Sequence, residues 1–355
     1  MRVYESLLRP LLFRLPPEPA HELTLWSLGL LDLAVPLARH LRSRARADAR
    51  PSLRTTLAGL TFPNPVGLAA GLDKNAEALV GFFASGFGSI EVGTVTPRAQ
   101  PGNDRPRIFR IPSHQAIVNR MGFNNAGMLA LASRLRELTW RPAPIGVNIG
   151  KNRDTPLERA LEDYVACART LAPLADYVTI NLSSPNTPGL RQLQEPQALE
   201  LLLRAVRPEV TGRPLFLKIA PDLEDEAVDT VVDVARACAL DGLICTNTTL
   251  ARPFEHPTAA QAGGLSGRPL TARSTAVVRR AFRHSGGALP IIGVGGIFTA
   301  DDAWEKIGAG ASLIQLYTGY IYGGPTTVST VLDGLEERLS QARLASISVA
   351  VGRDC

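Results

Sequence analysis

The hydrophobic positions of this chain change rhythm near residue 60. Beyond it, short apolar runs recur, each closing on Gly, Asn, Thr or Ser and each followed by a stretch of helical periodicity. The runs predict strands at 66–71, 89–95, 145–149, 177–181, 215–219, 242–246, 290–294 and 312–317. The intervening periodicity predicts helices at 75–84, 156–171, 196–206, 225–239, 271–282 and 300–307. Eight strands alternating with helices argue for a parallel sheet closed as a (β/α)8, or TIM, barrel. An open doubly wound sheet is the alternative, weakened by the lack of GxGxxG after the first strand. The segments 97–123 and 248–270 are too long for plain βα loops and are expected to cover the top of the barrel.

Residues 1–50 follow a different pattern and read as an N-terminal helical extension, with 51–355 forming the barrel domain. Pro16-Pro17-Glu18-Pro19 breaks the extension in two. The leucine-rich run 23–41 is interrupted by Ser27, Asp32 and Arg39, too polar to span a membrane. It also lacks a signal-peptide cleavage pattern. Charge sharpens the picture, because nine arginines and five acids fall in residues 1–54 of a chain whose net charge is +5. Leucines and Trp26 flanked by arginines suit an amphipathic helix on an anionic surface. Packing of the same helix on the barrel is the competing reading, and 39–50 reads as a linker or exposed helix end.

Composition adds limits. With 45% apolar, 20% charged and 6% aromatic residues in 355, the chain has ample material for a large core and is not of the disordered class. Cys167, Cys238, Cys245 and Cys355 form no CxxC pair, which points to buried thiols and a reducing compartment rather than disulfides. The five histidines show no ligand spacing, and no metal is expected.

The chemistry is expected at the C-terminal strand ends, where such barrels build their sites. These ends are polar throughout, and the clearest is Asn181-Leu182-Ser183-Ser184-Pro185-Asn186-Thr187. Gly295-Gly296 and Tyr317-Thr318-Gly319 suit backbone binding of a phosphate, or make tight turns only. A phosphate above apolar strand ends fits a flat phosphorylated cofactor such as FMN. Lys218 is then placed to stabilise its anionic reduced ring. Asn119, Asn181, Asn186 and Asn247 offer paired donors and acceptors for a pyrimidine-like ring. Lys74 can pair with a carboxylate. Ser184 is the candidate base, and it needs a relay for its proton.

Together, Ala70-Gly71-Leu72-Asp73-Lys74-Asn75, Asn119-Arg120-Met121-Gly122-Phe123-Asn124-Asn125, the Asn181–Thr187 run with Pro188-Gly189-Leu190-Arg191, and Gly263-Gly264-Leu265-Ser266-Gly267 resemble the dihydroorotate dehydrogenase family. Ser184, where the soluble class carries cysteine, and the N-terminal extension resemble its quinone-linked, membrane-associated class 2. The resemblance implies FMN-dependent oxidation of dihydroorotate to orotate in UMP synthesis, with Ser184 as catalytic base and Thr187 and Phe123 along its proton exit. It implies substrate contacts from Lys74, Asn119, Arg120, Met121, Gly122, Phe123, Asn181, Asn186, Asn247 and Thr248. It implies FMN contacts from Ala70, Gly71, Leu72, Asp73, Lys74, Thr94, Asn148, Asn181, Lys218, Thr246, Gly267, Gly296, Tyr317 and Thr318, and a quinone path past His21, Arg110 and Tyr317. The expected protein is a monomer without nucleic-acid partners, held peripherally on the cytoplasmic face of the cell membrane by its N-terminal helices. Two other readings are weighed: an FMN barrel reducing a base in RNA, and a non-catalytic barrel that binds a phosphorylated ligand.

Overall fold

A computed structural model describes residues 4–355. After the N-terminal helices α1 (Arg9–Arg14), α2 (Pro17–Gly29) and α3 (Val35–Arg44), a hairpin of β1 (Thr55–Leu57) and β2 (Leu60–Phe62) leads into the barrel. The eight barrel strands are β3 (Val66–Leu68), β4 (Ser89–Val95), β7 (Ile145–Ile149), β8 (Tyr177–Asn181), β9 (Leu215–Ile219), β10 (Gly242–Cys245), β12 (Ile291–Val294) and β13 (Leu313–Leu316). They pair in parallel, in chain order, and close when β13 meets β3. Around them run α4 (Leu79–Ala84), α5 (Met128–Glu137), α6 (Ala160–Leu171), α7 (Pro196–Val206), α8 (Asp225–Ala237), α9 (Thr271–Ser285), α10 (Ala300–Gly308), α11 (Thr318–Gly323) and α12 (Thr327–Ala342). The barrel therefore agrees with the hydrophobic rhythm strand by strand.

Three local departures have physical causes. The helix expected from residue 75 starts only at Leu79, because the Asp73 carboxylate accepts the N–H groups of Glu77 and Ala78, each at 2.9 Å, and holds the preceding turn. The leucine-rich run is not one helix: a 3-10 turn, Leu30–Ala34, separates α2 from α3, and Pro36, which lacks an N–H, sits in the first turn of α3. The stretch 39–50 is not an exposed linker. Arg42 is buried and donates to the carbonyls of Phe83 and Phe87 at 3.0 and 2.8 Å and to Asp48. Arg50 is buried between Asp333 and Glu336. These arginines bolt the extension to the barrel, so two of the eight described arginines of residues 4–54 are spent inside the protein, while Arg14, Arg39, Arg44, Arg46 and Arg54 stay exposed. Arg2 lies outside the described residues.

The long segments above the barrel hold structure that the sequence pattern did not predict. β5 (Ile108–Ile111), β6 (Ala116–Asn119) and β11 (Gly264–Gly267) form a three-stranded antiparallel sheet with β6 central. At the other end, the hairpin delivers Leu57 and Phe62 to a cluster with Tyr177, Phe216, Ile292 and Leu313. The interior is thus plugged below by aromatic and aliphatic side chains and left open above, under the small sheet. Gly146 has no side chain because the Tyr177 ring occupies that space; a Cβ there would lie 2.1 Å from the ring.

Arg42→Ala should cost roughly 2–4 kcal/mol, since the Phe87 carbonyl loses its donor, the Phe83 carbonyl is left with backbone N–H alone and Asp48 loses its partner. A urea midpoint unchanged from the parent chain would show that the extension is not fastened in this way.

Candidate active site

The period of two along each strand decides what points into the barrel. On β8 it turns Tyr177, Thr179 and Asn181 inward, and registers Asn181 beside Lys218 of β9 and Thr179 beside Asn148 of β7. Glu91 of β4 and Gln315 of β13 face the same interior. Glu91 is completely buried, accepting from Asn148 Nδ2 at 2.8 Å, Gln315 Nε2 at 2.9 Å and the Tyr177 hydroxyl at 3.3 Å. Burial pushes the Lys218 amine below its ordinary range, and the Glu91 charge partly opposes this.

Above this layer is a cavity of about 930 Å³. Its walls bring together residues from every barrel strand except β7: Ala70, Gly71 and Lys74 after β3, Thr94 in β4, Asn181, Ser184 and Asn186 at and after β8, Lys218 in β9, then Thr246, Asn247 and Thr248 after β10. The small sheet and its flanks add Asn119, Met121, Gly122, Phe123 and Gly267, and the last two strands add Gly296, Tyr317 and Thr318. One chain of amides and hydroxyls fixes the floor. Asn181 Nδ2 donates to Thr94 Oγ1 at 2.9 Å and to Asn148 Oδ1 at 3.1 Å, and Asn247 Nδ2 donates to Ser183 Oγ at 2.9 Å. Ser184 is 5% exposed, and its Oγ accepts the Asn186 N–H at 3.2 Å. Lys74 is 8% exposed, donates to the Gly71 carbonyl at 2.7 Å and is pushed down to about 8, first by burial and next by Arg107.

Some expected site residues lie elsewhere. Asp73 is buried behind the cavity at the start of α4; burial raises its carboxyl, opposed by the N–H groups it accepts. Asn148 stands one layer back. Thr187 is buried but outside the cavity wall. The Arg120 side chain turns away, its guanidinium 4.8 Å from the Phe109 ring centre and bonded to Gln261 and the Pro106 carbonyl. Leu72, His21 and Arg110 line a second cavity, of about 970 Å³, whose walls are mostly apolar side chains of α1, α2, β5 and α11. Among the described residues, only Asn119 and Tyr317 line both cavities. Burial, with Lys74 second, pushes His21 down to about 3, so its imidazole is neutral. Arg110 lies 4.5 Å above the Phe13 ring and donates to the Leu12 carbonyl at 3.2 Å.

Sequence reasoning missed Glu91, Gln315, Ser266 and Leu270. The first two carry a readable signal, alternation within a strand, whereas Ser266 and Leu270 belong to the small sheet and the turn after it. Gln315 Oε1 is buried at the cavity without a partner among the described residues. Gly296, at φ +74°, leaves a hollow that a Cβ would fill to within 2.1 Å of Thr271 Oγ1. A free acceptor below a ring-sized space, a buried ammonium beside it and a backbone-lined hollow at its rim fit a flat phosphorylated group such as FMN. Among the described residues there is no cluster of three metal-ligating side chains.

The family model for dihydroorotate dehydrogenase matches residues 52–339. The chain belongs to the dihydroorotate dehydrogenase family. It is 58% identical over 353 residues to the dihydroorotate dehydrogenase (quinone) of Myxococcus xanthus, covering 98% of this chain and 97% of that one. It is 50% identical over 363 residues to that of Deinococcus deserti, covering 99% and 100%. Among solved structures, the dihydroorotate dehydrogenase of Eimeria tenella in complex with ferulenol superposes with a TM-score of 0.82 at 43% identity, covering 86% of this chain and 89% of that one. The ligand-free form gives 0.82 at 42% identity, covering 90% and 98%. The family match starts just after α3, and the relatives extend it through the N-terminal helices.

Proposed function

We propose that this chain oxidises (S)-dihydroorotate to orotate with FMN held in the first cavity and passes the electrons to a quinone in the second, in the synthesis of the pyrimidine ring. One observation carries the reading: Ser184, Lys74, Lys218 and four asparagines meet in one polar cavity that shares Tyr317 and Asn119 with an apolar one.

Lys218, Thr94, Thr246, Gly267, Gly296, Tyr317 and Thr318 would hold FMN, with Ala70 and Gly71 against it and Asn148 and Asp73 supporting from behind. Bound FMN supplies the two-electron acceptor that no side chain offers. The side chains bind and orient the substrate. Asn119, Asn181, Asn186 and Asn247 match the amide edges of its ring, and the Lys74 ammonium its carboxylate. Oxidation removes a proton from C5 and a hydride from C6. Ser184 Oγ takes the C5 proton, and the Asn186 N–H stabilises charge developing on that oxygen. Thr187 and Phe123 border the route by which the proton leaves. In the second cavity a neutral His21 and the Arg110 guanidinium suit the carbonyl groups of a quinone, and the apolar walls suit its tail.

The same reading places the protein at a membrane surface. Of the fourteen exposed large hydrophobic residues among those described, ten lie between Leu7 and Leu41, with Trp26 65% and Leu33 88% exposed. Helices α1 and α2, which carry Leu11, Leu23 and Trp26 of that set, also wall the second cavity, so an apolar electron carrier would enter from lipid. Among the described residues no helix is long and apolar enough to cross a membrane.

Ser184→Ala should slow flavin reduction by dihydroorotate at least about a hundredfold while FMN stays bound; a normal rate in stopped flow would remove Ser184 as base. KM for dihydroorotate should climb as pH rises past about 8, approaching tenfold per unit as Lys74 loses its proton. A KM flat from pH 8 to 10 would break the ammonium–carboxylate pairing. Trp26→Asp with Leu33→Asp should abolish most sedimentation with anionic liposomes and leave flavin reduction intact. Full liposome binding by that double variant would send the membrane contact elsewhere.

A further inference from the structure

Behind the glycine turn after β12 lies an amine that the proposed reaction does not use. Lys306, on α10, is fully buried. Its Nζ donates to Ser274 Oγ at 2.6 Å and to Thr275 Oγ1 at 2.9 Å, both on α9. Ser274 Oγ lies 3.0 Å from the Gly295 carbonyl and 3.1 Å from that of Thr271, and Thr271 Oγ1 donates to the Gly296 carbonyl at 2.9 Å. Gly295 and Gly296 both line the first cavity. One hydroxyl therefore separates the amine from the backbone of the anion-suited hollow.

The amine lacks a counter-ion. The charged and titratable groups that face it are Glu305 and Asp302 from its own helix and Cys245 from β10, while α9 presents only hydroxyls. Asp302 is taken by Arg268 and by the N–H groups of Phe298 and Thr299. Burial raises the Cys245 thiol to about 12, so it stays neutral. Among the described residues no carboxylate forms an ion pair with Lys306, and burial pushes its amine down to about 7. A buried cation without a partner is costly, and that cost falls when an anion comes close.

We propose that Lys306 is the buried counter-charge of the phosphate cradle: it steadies the Gly295–Gly296 turn through Ser274 and gains a proton when the phosphate of FMN binds. Lys306 touches neither cofactor nor substrate and is a positioning residue. The inference rests on the reading that FMN occupies the first cavity.

The test titrates FMN and riboflavin, which lacks the phosphate, into flavin-free full-length chain, with calorimetry at pH 8 in buffers of different ionisation enthalpy. The parent chain should take up a substantial fraction of a proton with FMN and much less with riboflavin. Lys306→Met should weaken FMN roughly tenfold, leave riboflavin unchanged and lose the extra proton uptake. Ser274→Ala, which keeps the lysine and cuts its link to the turn, should lower the FMN-to-riboflavin preference in the same direction, and it decides the matter if Lys306→Met does not fold. An unchanged preference in both variants, or equal weakening of both ligands, overturns the role of Lys306 and leaves the FMN reading standing. A parent chain that binds neither flavin takes down both.

Discussion

A carboxylate and an ammonium, Glu91 and Lys218, face the same closed barrel interior, and the upper half of the molecule is arranged around that fact. Alternation along a strand sends every second side chain inward, and closure leaves no edge through which water can reach it. Polar groups placed there must satisfy one another or a ligand. Glu91 collects Asn148, Gln315 and Tyr177, and Asn148 in turn holds Asn181. The floor of the site is thus a network anchored on a buried charge, which fixes amide orientations before any ligand arrives. The lower half obeys the opposite rule, packing Tyr177, Phe216, Leu57 and Phe62 into a dry plug. Tyr177 belongs to both halves, its ring in the plug and its hydroxyl on Glu91.

How far the sequence could be read follows from this architecture. The eight strands were legible because each is a short, largely apolar run flanked by turn formers, and the polar residues at their C-terminal ends stood out by contrast. Glu91 and Gln315 were harder to see because each is a single polar residue inside an apolar strand. Counting by twos from the strand ends, Gly93 to Glu91 and Tyr317 to Gln315, puts both on the inner face. The three-stranded sheet above the barrel was hidden for another reason. β5, β6 and β11 have four residues each, and 144 residues lie between the paired β6 and β11; no local periodicity reports so distant a pairing. Arg42 and Arg50 were misread because an arginine-rich run looks solvated; only the carbonyls of Phe83 and Phe87, Asp48 and the acids of α12 explain their burial.

The N-terminal helices meet two demands that pull in opposite directions. They must expose leucines, and they must stay attached to the barrel. Attachment is polar and directional: Arg42 on the carbonyls after α4, Arg50 on Asp333 and Glu336, Glu18 with Arg107, and Arg9 on the Tyr322 carbonyl. Because polar bolts share this work with the apolar contacts of Leu31, Val35 and Ala38 on Val80 and Ala84, the apolar faces of α1 and α2 are left to line a cavity on one side and to meet solvent on the other. Apolar packing alone would have consumed those faces and closed the cavity.

The same division explains why two cavities of similar size sit side by side with so thin a wall. Handling a substrate with a carboxylate and amide edges needs charge, hydrogen bonds and a proton route; handling an apolar electron carrier needs mainly apolar walls, with polar groups only where its carbonyls lie. Lys74 lines the polar cavity, yet its charge acts across the wall, being the second cause of the lowered His21. Burial is the first cause, and together they keep the imidazole uncharged next to apolar neighbours. Glu18 and Arg107, paired at 2.7 Å, lie within electrostatic reach of Lys74 from the N-terminal side. Glu18 and Arg107 offset one another beside the buried Lys74, on one face of a partition whose other face is mostly apolar side chains.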